Sequence, residues 1–332
     1  MCRILVILAL AVLLLQGPDT HKPMQLRIGA LLVHTRPLPL GPGAPPPDAA
    51  GALAFLGGWE LTSDNPGFGG ISALRVDPDG RLLALSDSGT LMGFSLSPGD
   101  SRHRPFIAPL PVKPDERDKS WWMWDTESLT SDPATGRSWA GIELQQRICR
   151  YSPGFARVEA CRVWPEVDAW PTTGSIESLA RLPDGRFAAI AEMGMTSDGY
   201  HDMLLFPSDP ADPATAHPIH LRYAPPQGYR PTDLVALDNR RLLVLNRRLT
   251  LQELFTATIA VIELPADPAP GTRIQAYTLA RLAPPLLADN FEGMAISRAG
   301  GRTQLWIVSD DNHQSFQRTL LLRFALPDDL AR

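Results

Sequence analysis

Cysteine, clustered positive charge and long apolar runs are all scarce in this chain, and each scarcity excludes something. Three cysteines occur in 332 residues and none forms a Cys-x-x-Cys pair, so a structural zinc site lacks its usual ligand set. The formal net charge is -5 with no basic stripe, which argues against nucleic acid as a partner. There is no Gly-x-Ser-x-Gly elbow, no His-Glu-x-x-His, no Walker loop and no dinucleotide fingerprint after a strand. Serine hydrolysis on an α/β-hydrolase, zinc proteolysis, nucleotide hydrolysis and nicotinamide chemistry therefore lack the residues they require. Outside the N-terminus no apolar run is long enough to be a membrane span, and the one at the start, Ile4 to Leu15, has only twelve residues. Behind Met1-Cys2-Arg3 it reads as the apolar region of an export signal. Residues 1–20 are expected to be a signal peptide or, if uncleaved, an N-terminal anchor and the only membrane tether. The following Gln16-Gly17-Pro18-Asp19 lacks an Ala-x-Ala site, and Cys2 precedes the apolar run, which argues against lipid-modified cleavage. A periplasmic or extracellular protein is expected.

What is abundant is turn chemistry, with 26 glycines and 33 prolines separating short strand-like segments, and that favours an all-β class. The same pattern occurs five times: GGISALRVDPDGRLLALSDSG at 69–89, DTESLTSDPATGRSWAGIELQ at 125–145, SIESLARLPDGRFAAIAEMG at 175–194, RPTDLVALDNRRLLVLNRR at 230–248 and NFEGMAISRAGGRTQLWIVSDDN at 290–312. Each copy is an apolar strand, a turn and a second apolar strand, which is the signal of a β-hairpin. Repetition every 50 to 60 residues is the signature of a repeat architecture.

In register, the opening column reads Ser72, Glu127, Glu177, Thr232, Glu292 and the closing column Asp87, Glu143, Glu192, Arg247, Asp310. The start of the first strand of a hairpin and the end of its second lie at one edge. Both columns therefore belong to one rim of a ring of hairpins, and Asp87, Glu127, Glu143, Glu177, Glu192, Glu292 and Asp310 converge at one mouth of its channel, with Asp311 an eighth acid. Length and repeats predict a β-propeller of five or six blades spanning 52–328, behind a Pro-rich segment at 21–51. The last copy has only one further strand, at 318–326. The strand at 52–63 is expected to complete that blade and close the ring by pairing N- and C-terminal segments. A single strand is expected over 272–280. Cys149 and Cys161 flank RYSPGFARVEA, whose turn places them across paired strands; a disulfide in an oxidising compartment and two buried thiols are both open readings.

FGGISAL with ALSDSG, then DTESL, SIESL, NFEGMAI and VSDDNHQSFQRTLLLRF, together resemble the phytase-like domain of bacterial exported proteins described as having esterase-like activity of the phytase family. The likeness covers about 69–326. It implies a β-propeller and hydrolysis of ester or phosphoester bonds, and it brings no catalytic residue set that can be carried over.

The residues themselves point to chemistry. Crowded carboxylates repel one another unless a cation is present, and hard oxygen ligands select Ca²⁺ or Mg²⁺. Asp87, Glu127, Glu143, Glu292, Asp310 and Asp311 are the expected ligands of a divalent cation, calcium first. Glu177 and Glu192, which also qualify as ligands, are the candidate bases, and His313 a candidate acid or ligand. Arg247, Arg248 and Arg318 offer donors to an anionic small-molecule substrate, and Trp122 and Trp124 an apolar wall. Each has a plainer reading: Arg247 neutralises the rim, His313 is a loop histidine, and the tryptophans plug a loop against the propeller. The rival function is a ligand- or protein-binding propeller whose cation is structural.

Overall fold

The computed structural model describes residues 27–38, 51–96, 104–116, 121–284, 289–299 and 301–330. Residues 1–20, expected to be an export signal or anchor, and most of the Pro-rich segment lie outside the described residues.

The repeated pattern folds as expected, one hairpin per copy, and each hairpin is the inner half of a blade. Blade I runs outward from Ile71–Val76 through Leu82–Ser86, Thr90–Phe94 and Phe106–Pro109. Blade II is Thr126–Ser131, Ser138–Ile142, Arg147–Tyr151 and Val158–Val163, and blade III Ile176–Arg181, Phe187–Met195, His201–Phe206 and Ile219–Ala224. Blade IV is Arg230–Ala236, Arg241–Thr250, Leu254–Glu263 and Tyr277–Leu282. Blade V is Phe291–Ala299, Arg302–Ser309 and Thr319–Ala325, completed by Ala54–Thr62, which pairs antiparallel with Thr319–Ala325. Closure through the N-terminal strand is thus as expected, and the blade number is five. The segment ahead of that strand bridges the seam where the ring closes. Gly29–Ala30 adds to the outer edge of blade I and His34–Pro37 to that of blade V.

Alternating apolar side chains make each sheet two-faced, and neighbouring sheets bury those faces against each other. Each of the five seams has its own cluster: Leu85 with Ile142 between blades I and II, Ile176 with Trp139 between II and III, and Ile190 with Val244 between III and IV. Leu245 with Ile307 fills the seam between IV and V, and Leu82 with Val308 that between V and I. Because every seam is filled, the innermost strands stand around a common axis, and exposure is confined largely to the outer strands, such as Val163 and Tyr277. The turns follow their chemistry: Gly80 ends Asp77-Pro78-Asp79-Gly80 at φ 87°, with its N–H donating to the Asp77 carbonyl at 2.9 Å.

One expectation differs. The stretch 272–280 is two strands, because at Ala276 the chain leaves one blade for another. Arg273–Gln275 pairs parallel with Ile219–Ala224 of blade III, while Tyr277–Leu282 forms the outer strand of blade IV. Cys149 and Cys161 are register partners in blade II and form a disulfide with a Cα–Cα distance of 4.0 Å.

Candidate functional site

The opening column of the repeat has a structural meaning. In every blade the pairing between the first two strands slips by one residue, between Ile71 and Ala73, Thr126 and Ser128, Ile176 and Ser178, Pro231 and Asp233, and Phe291 and Gly293. The skipped residues are Ser72, Glu127, Glu177, Thr232 and Glu292. Each is the extra residue of a β-bulge, left out of the ladder and re-aimed by the local twist. The closing column lies just beyond the bulge on the second strand. There the Asp87, Glu143 and Asp310 N–H groups donate to the carbonyls of Gly70, Asp125 and Asn290 at 2.9, 2.7 and 2.8 Å, and Arg247 faces Arg230. A third column thus stands two residues before each bulge: Gly70, Asp125, Arg230 and Asn290 in blades I, II, IV and V.

Asp125 is the residue that sequence reasoning passed over. It sits in DTESL two positions before Glu127, at the offset Asn290 has before Glu292 in NFEGM, in a column whose residue type does not repeat from blade to blade. Oxygens of Asp125, Glu127 and Glu143 all lie within 4.8 Å of one another. Among the described residues no Lys, Arg or His pairs with any of the three. Glu143 accepts from the Gly174 N–H and, at 2.9 Å, from the Ser175 N–H, which ties blade II to the start of blade III. Burial and the neighbouring charges push Glu127 well above the usual carboxylate range and raise Glu143 to about 8, while burial raises Asp125 against the pull of its hydrogen bonds with those two acids.

Blade IV supplies the counter-charge. The Arg247 guanidinium donates to Glu192 of blade III at 2.9 Å, to Asn290 of blade V at 2.7 Å and to Glu292 of blade V. Asn290 in turn donates to Glu292 at 2.8 Å. Glu177 stays well above the usual range because burial, Glu192 and Glu143 outweigh the pull of Arg247; Glu292, buried beside the same arginine, is also raised. Arg248, its neighbour in sequence, is elsewhere: it pairs with Glu253 at 2.6 Å and stacks on Tyr229. Arg318 is half-exposed and pairs with Asp289 at 3.1 Å.

Around Asp87 the rim is tight. Gly70, at φ 59°, leaves a gap that a side chain would fill, since a Cβ there would come within 2.7 Å of both Asp87 Oδ1 and His313 Nε2. Those two atoms are buried, have no hydrogen-bond partner among the described residues and lie 4.0 Å apart. Burial lowers His313, so its imidazole is neutral at neutral pH, and burial raises Asp87 and Asp310 well above the usual range. Asp311 differs from its neighbour: its oxygens accept from the Gly70 and His313 N–H groups at 2.9 and 3.0 Å and from the Thr319 hydroxyl at 2.8 Å, bracing blade V to blade I. Trp124 is buried among Leu85, Leu91 and Leu110 with Arg147 stacked on it, and Arg147 forms a buried pair with Glu116 at 2.7 Å. The side chain of Trp122 lies outside the described residues.

The rim therefore holds Asp87, Asp125, Glu127, Glu143, Glu177, Glu192, Glu292 and Asp310 with Arg247 as the cation paired to its acids among the described residues. Such a donor set, all oxygen and undercompensated, fits a hard divalent cation, with Asp125, Glu127 and Glu143 as its nucleus.

Fold and rim together define a five-bladed β-propeller with an acidic axial mouth. The family model described as Phytase-like, esterase-like activity of phytase, matches residues 66–313, and the chain belongs to that family. No curated protein matches it. Among solved structures it is similar to the hydrazine synthase of Kuenenia stuttgartiensis at 14% identity, covering 89% of this chain and 80% of that one with a TM-score of 0.39. It is also similar to a putative oxidoreductase (glucose dehydrogenase) of Thermus thermophilus at 14% identity, covering 88% and 99% with a TM-score of 0.37. Likenesses this remote carry no information about chemistry.

Proposed function

We propose that this protein is an exported hydrolase of phosphoester or carboxylic ester bonds that works with a divalent cation, calcium by preference, at the acidic mouth of the propeller. The observation that carries this reading is the approach of Asp125, Glu127 and Glu143 to within 4.8 Å with no basic partner among the described residues. A cation bound there supplies polarisation of a phosphoryl or carbonyl oxygen. Asp125, Glu127 and Glu143 hold it, with Asp87 and Asp310 facing the same mouth from blades I and V. Glu177 and Glu192 take up the proton of the attacking water, and Arg247 fixes Glu192 and Glu292 while placing positive charge beside an anionic substrate. His313 lies next to Asp87 and, being the free base at neutral pH, would first have to take up a proton before passing it to the leaving group, so its part as general acid belongs to the acidic side of neutrality. Export is supported by the apolar run after Arg3 and by the Cys149–Cys161 disulfide. No helix among the described residues is long and apolar enough to cross a membrane.

The test is a screen of the purified protein with Ca²⁺, Mg²⁺ and Mn²⁺ against p-nitrophenyl phosphate, its diester, p-nitrophenyl acetate and a lactone. Turnover abolished by chelation, and reduced about 100-fold or more in Glu127→Gln and Glu177→Gln, is the expected result. Undiminished turnover in both variants sinks the mechanism. The competing reading, a binding propeller with a structural cation, draws on Arg247, whose guanidinium is engaged by Glu192 and Glu292. Cation-dependent stabilisation without turnover of any substrate class would decide for it.

A further inference from the structure

Beside the acidic mouth lies a cleft of different character. It has a volume of about 650 Å³, in the range of small-molecule sites, and lies between the tall hairpin of blade III and the connection Ala224–Arg230 that leads into blade IV. Glu192, on the rim, is also one of its walls, so the cleft is continuous with the mouth. Its other walls are unusual for a protein surface. Met193 and Met195 are 40% and 54% exposed on the strand that follows Glu192, facing the same space as Pro225 and Tyr229. Flexible thioethers and rigid rings are suited to gripping an apolar body.

The cleft is also built to stay open. The Tyr229 hydroxyl is held at 3.1 Å by Thr256 and at 3.1 Å by Arg281, and its ring is covered by Arg248. On the opposite wall Tyr200 carries Arg273 over its ring at 4.9 Å. The charges within reach are mostly matched: Glu192 with Arg247, and Asp198 with Arg222 at 2.5 Å. Arg230 is the exception. It is exposed, lines the cleft, and its side chain has no hydrogen bond or ion pair among the described residues. One uncompensated guanidinium beside apolar walls complements one anionic group on an apolar body. It does not complement a polyanion, which would meet Glu192 and Asp198 with a single cation to offset it.

We infer that this cleft is the subsite for the non-reacting part of the substrate, and that this part is an apolar, aromatic-sized body carrying a single anionic group, held by Arg230 and gripped by Met193, Met195 and Tyr229. The inference deepens the hydrolase reading as far as turnover is concerned; its binding claim does not depend on it.

The experiment has a binding arm and a turnover arm, both on the full chain. In the first, 4-phenylbutyrate and its uncharged amide are titrated calorimetrically into wild type, Arg230→Gln and Met195→Asp, with melting temperatures as the folding control; both positions are exposed, so folding is expected to survive. The acid is expected to bind more tightly than the amide, to lose roughly tenfold in Arg230→Gln, the scale of one charge-assisted hydrogen bond, and to lose at least as much in Met195→Asp. Tripolyphosphate is expected not to displace it. In the second arm, the ratio of kcat/KM for the p-nitrophenyl monoester of glutarate to that for p-nitrophenyl butyrate is expected to fall about tenfold in Arg230→Gln. Absence of binding at millimolar concentration, equal affinity in both variants, or displacement by tripolyphosphate overturns the subsite, even if esters are hydrolysed. Binding with the expected variant pattern but no ester turnover leaves the subsite standing and removes the hydrolase reading.

Discussion

Blades II and IV are built on the same bulged hairpin and differ in what that hairpin presents. At the three positions that face the mouth, blade II has Asp125, Glu127 and Glu143, and blade IV has Arg230, Thr232 and Arg247. The backbone device is common to both, a residue pushed out of the ladder, so the fold supplies direction and the residue supplies charge. In blade II the carboxylates face one another and are driven towards protonation. In blade IV Arg247 crosses both neighbouring seams, reaching Glu192 on one side and blade V on the other, while Thr232 stays buried with its hydroxyl 3.4 Å from the Phe291 carbonyl. One blade concentrates negative charge for an external cation; the other provides an internal one that makes the rest of the ring tolerable.

The change that should break this contrast most severely is Arg247→Met. It leaves Glu192 and Glu292 buried and unpaired, and a destabilisation of roughly 2–4 kcal/mol is expected, somewhat below that of a fully buried pair because the guanidinium is partly exposed. Denaturant unfolding with a chelator present measures it, and added Ca²⁺ should restore part of the loss. Unchanged stability would mean that Arg247 is not the counter-charge of the ring. Next comes the covalent difference. Blade II carries the Cys149–Cys161 disulfide, with twelve residues of separation, and its removal in Cys149→Ser with Cys161→Ser should cost about 2–3 kcal/mol. An identical denaturation midpoint for wild type under reducing and non-reducing conditions would show that the bridge contributes nothing.

Much of this is legible in the sequence, for physical reasons that also set the limit of what is legible. The propeller and its closure were legible because turn residues and apolar alternation recur with each blade, and because a blade with three strands needs a fourth from somewhere. The acidic rim was legible because bulges keep a residue type in register. Asp125 escaped because the third column is acidic in only one blade, so repetition gave no signal. Arg248 was grouped with Arg247 because adjacency in sequence hides that successive strand residues face opposite sides. The break at Ala276 was invisible because Arg273–Gln275 is parallel to its partner and belongs to a different blade, a non-local choice that local alternation cannot report.

Within any one pH unit a smaller effect, at most about 1.4 kcal/mol for Glu143, separates the two blades by titration. Glu143 in blade II has its carboxyl raised from 4.5 to about 8, chiefly by burial. The folded protein then holds the proton more tightly than the unfolded chain. Its stabilising contribution is complete below about 4.5 and is lost as pH rises towards about 8, so the cation-free protein should be more stable at pH 5 than at pH 8. Saturating Ca²⁺ should flatten that slope, because the ligands are then deprotonated in the folded state as well. Urea midpoints at pH 5, 6.5 and 8 with and without the ion give the comparison. A rise in cation-free stability with pH would contradict the raised carboxyls.

The smallest expected effect sharpens the contrast inside blade IV itself. Arg247 and Arg248 are consecutive, carry the same charge and lie on the same strand, yet pleating turns them to opposite faces. Arg247 meets buried carboxylates at the axis. Arg248 meets Glu253, whose side chain is 37% exposed, across the outer hairpin, and shares that acid with Arg281 at 2.6 Å. An exposed pair of this kind contributes little because solvent screens it, and Arg281 remains to hold Glu253 when Arg248 is gone. Part of the side chain also packs on Tyr229, a contact that glutamine's shorter stem keeps only in part. Arg248→Gln should therefore shift the unfolding free energy by less than about 1 kcal/mol, with the shift shrinking in high salt, whereas Arg247→Met should remain costly there because its partners are shielded from ions. If the two substitutions proved equally damaging, the division of this strand into an axial and an outward face would not be what sets the charge of the mouth.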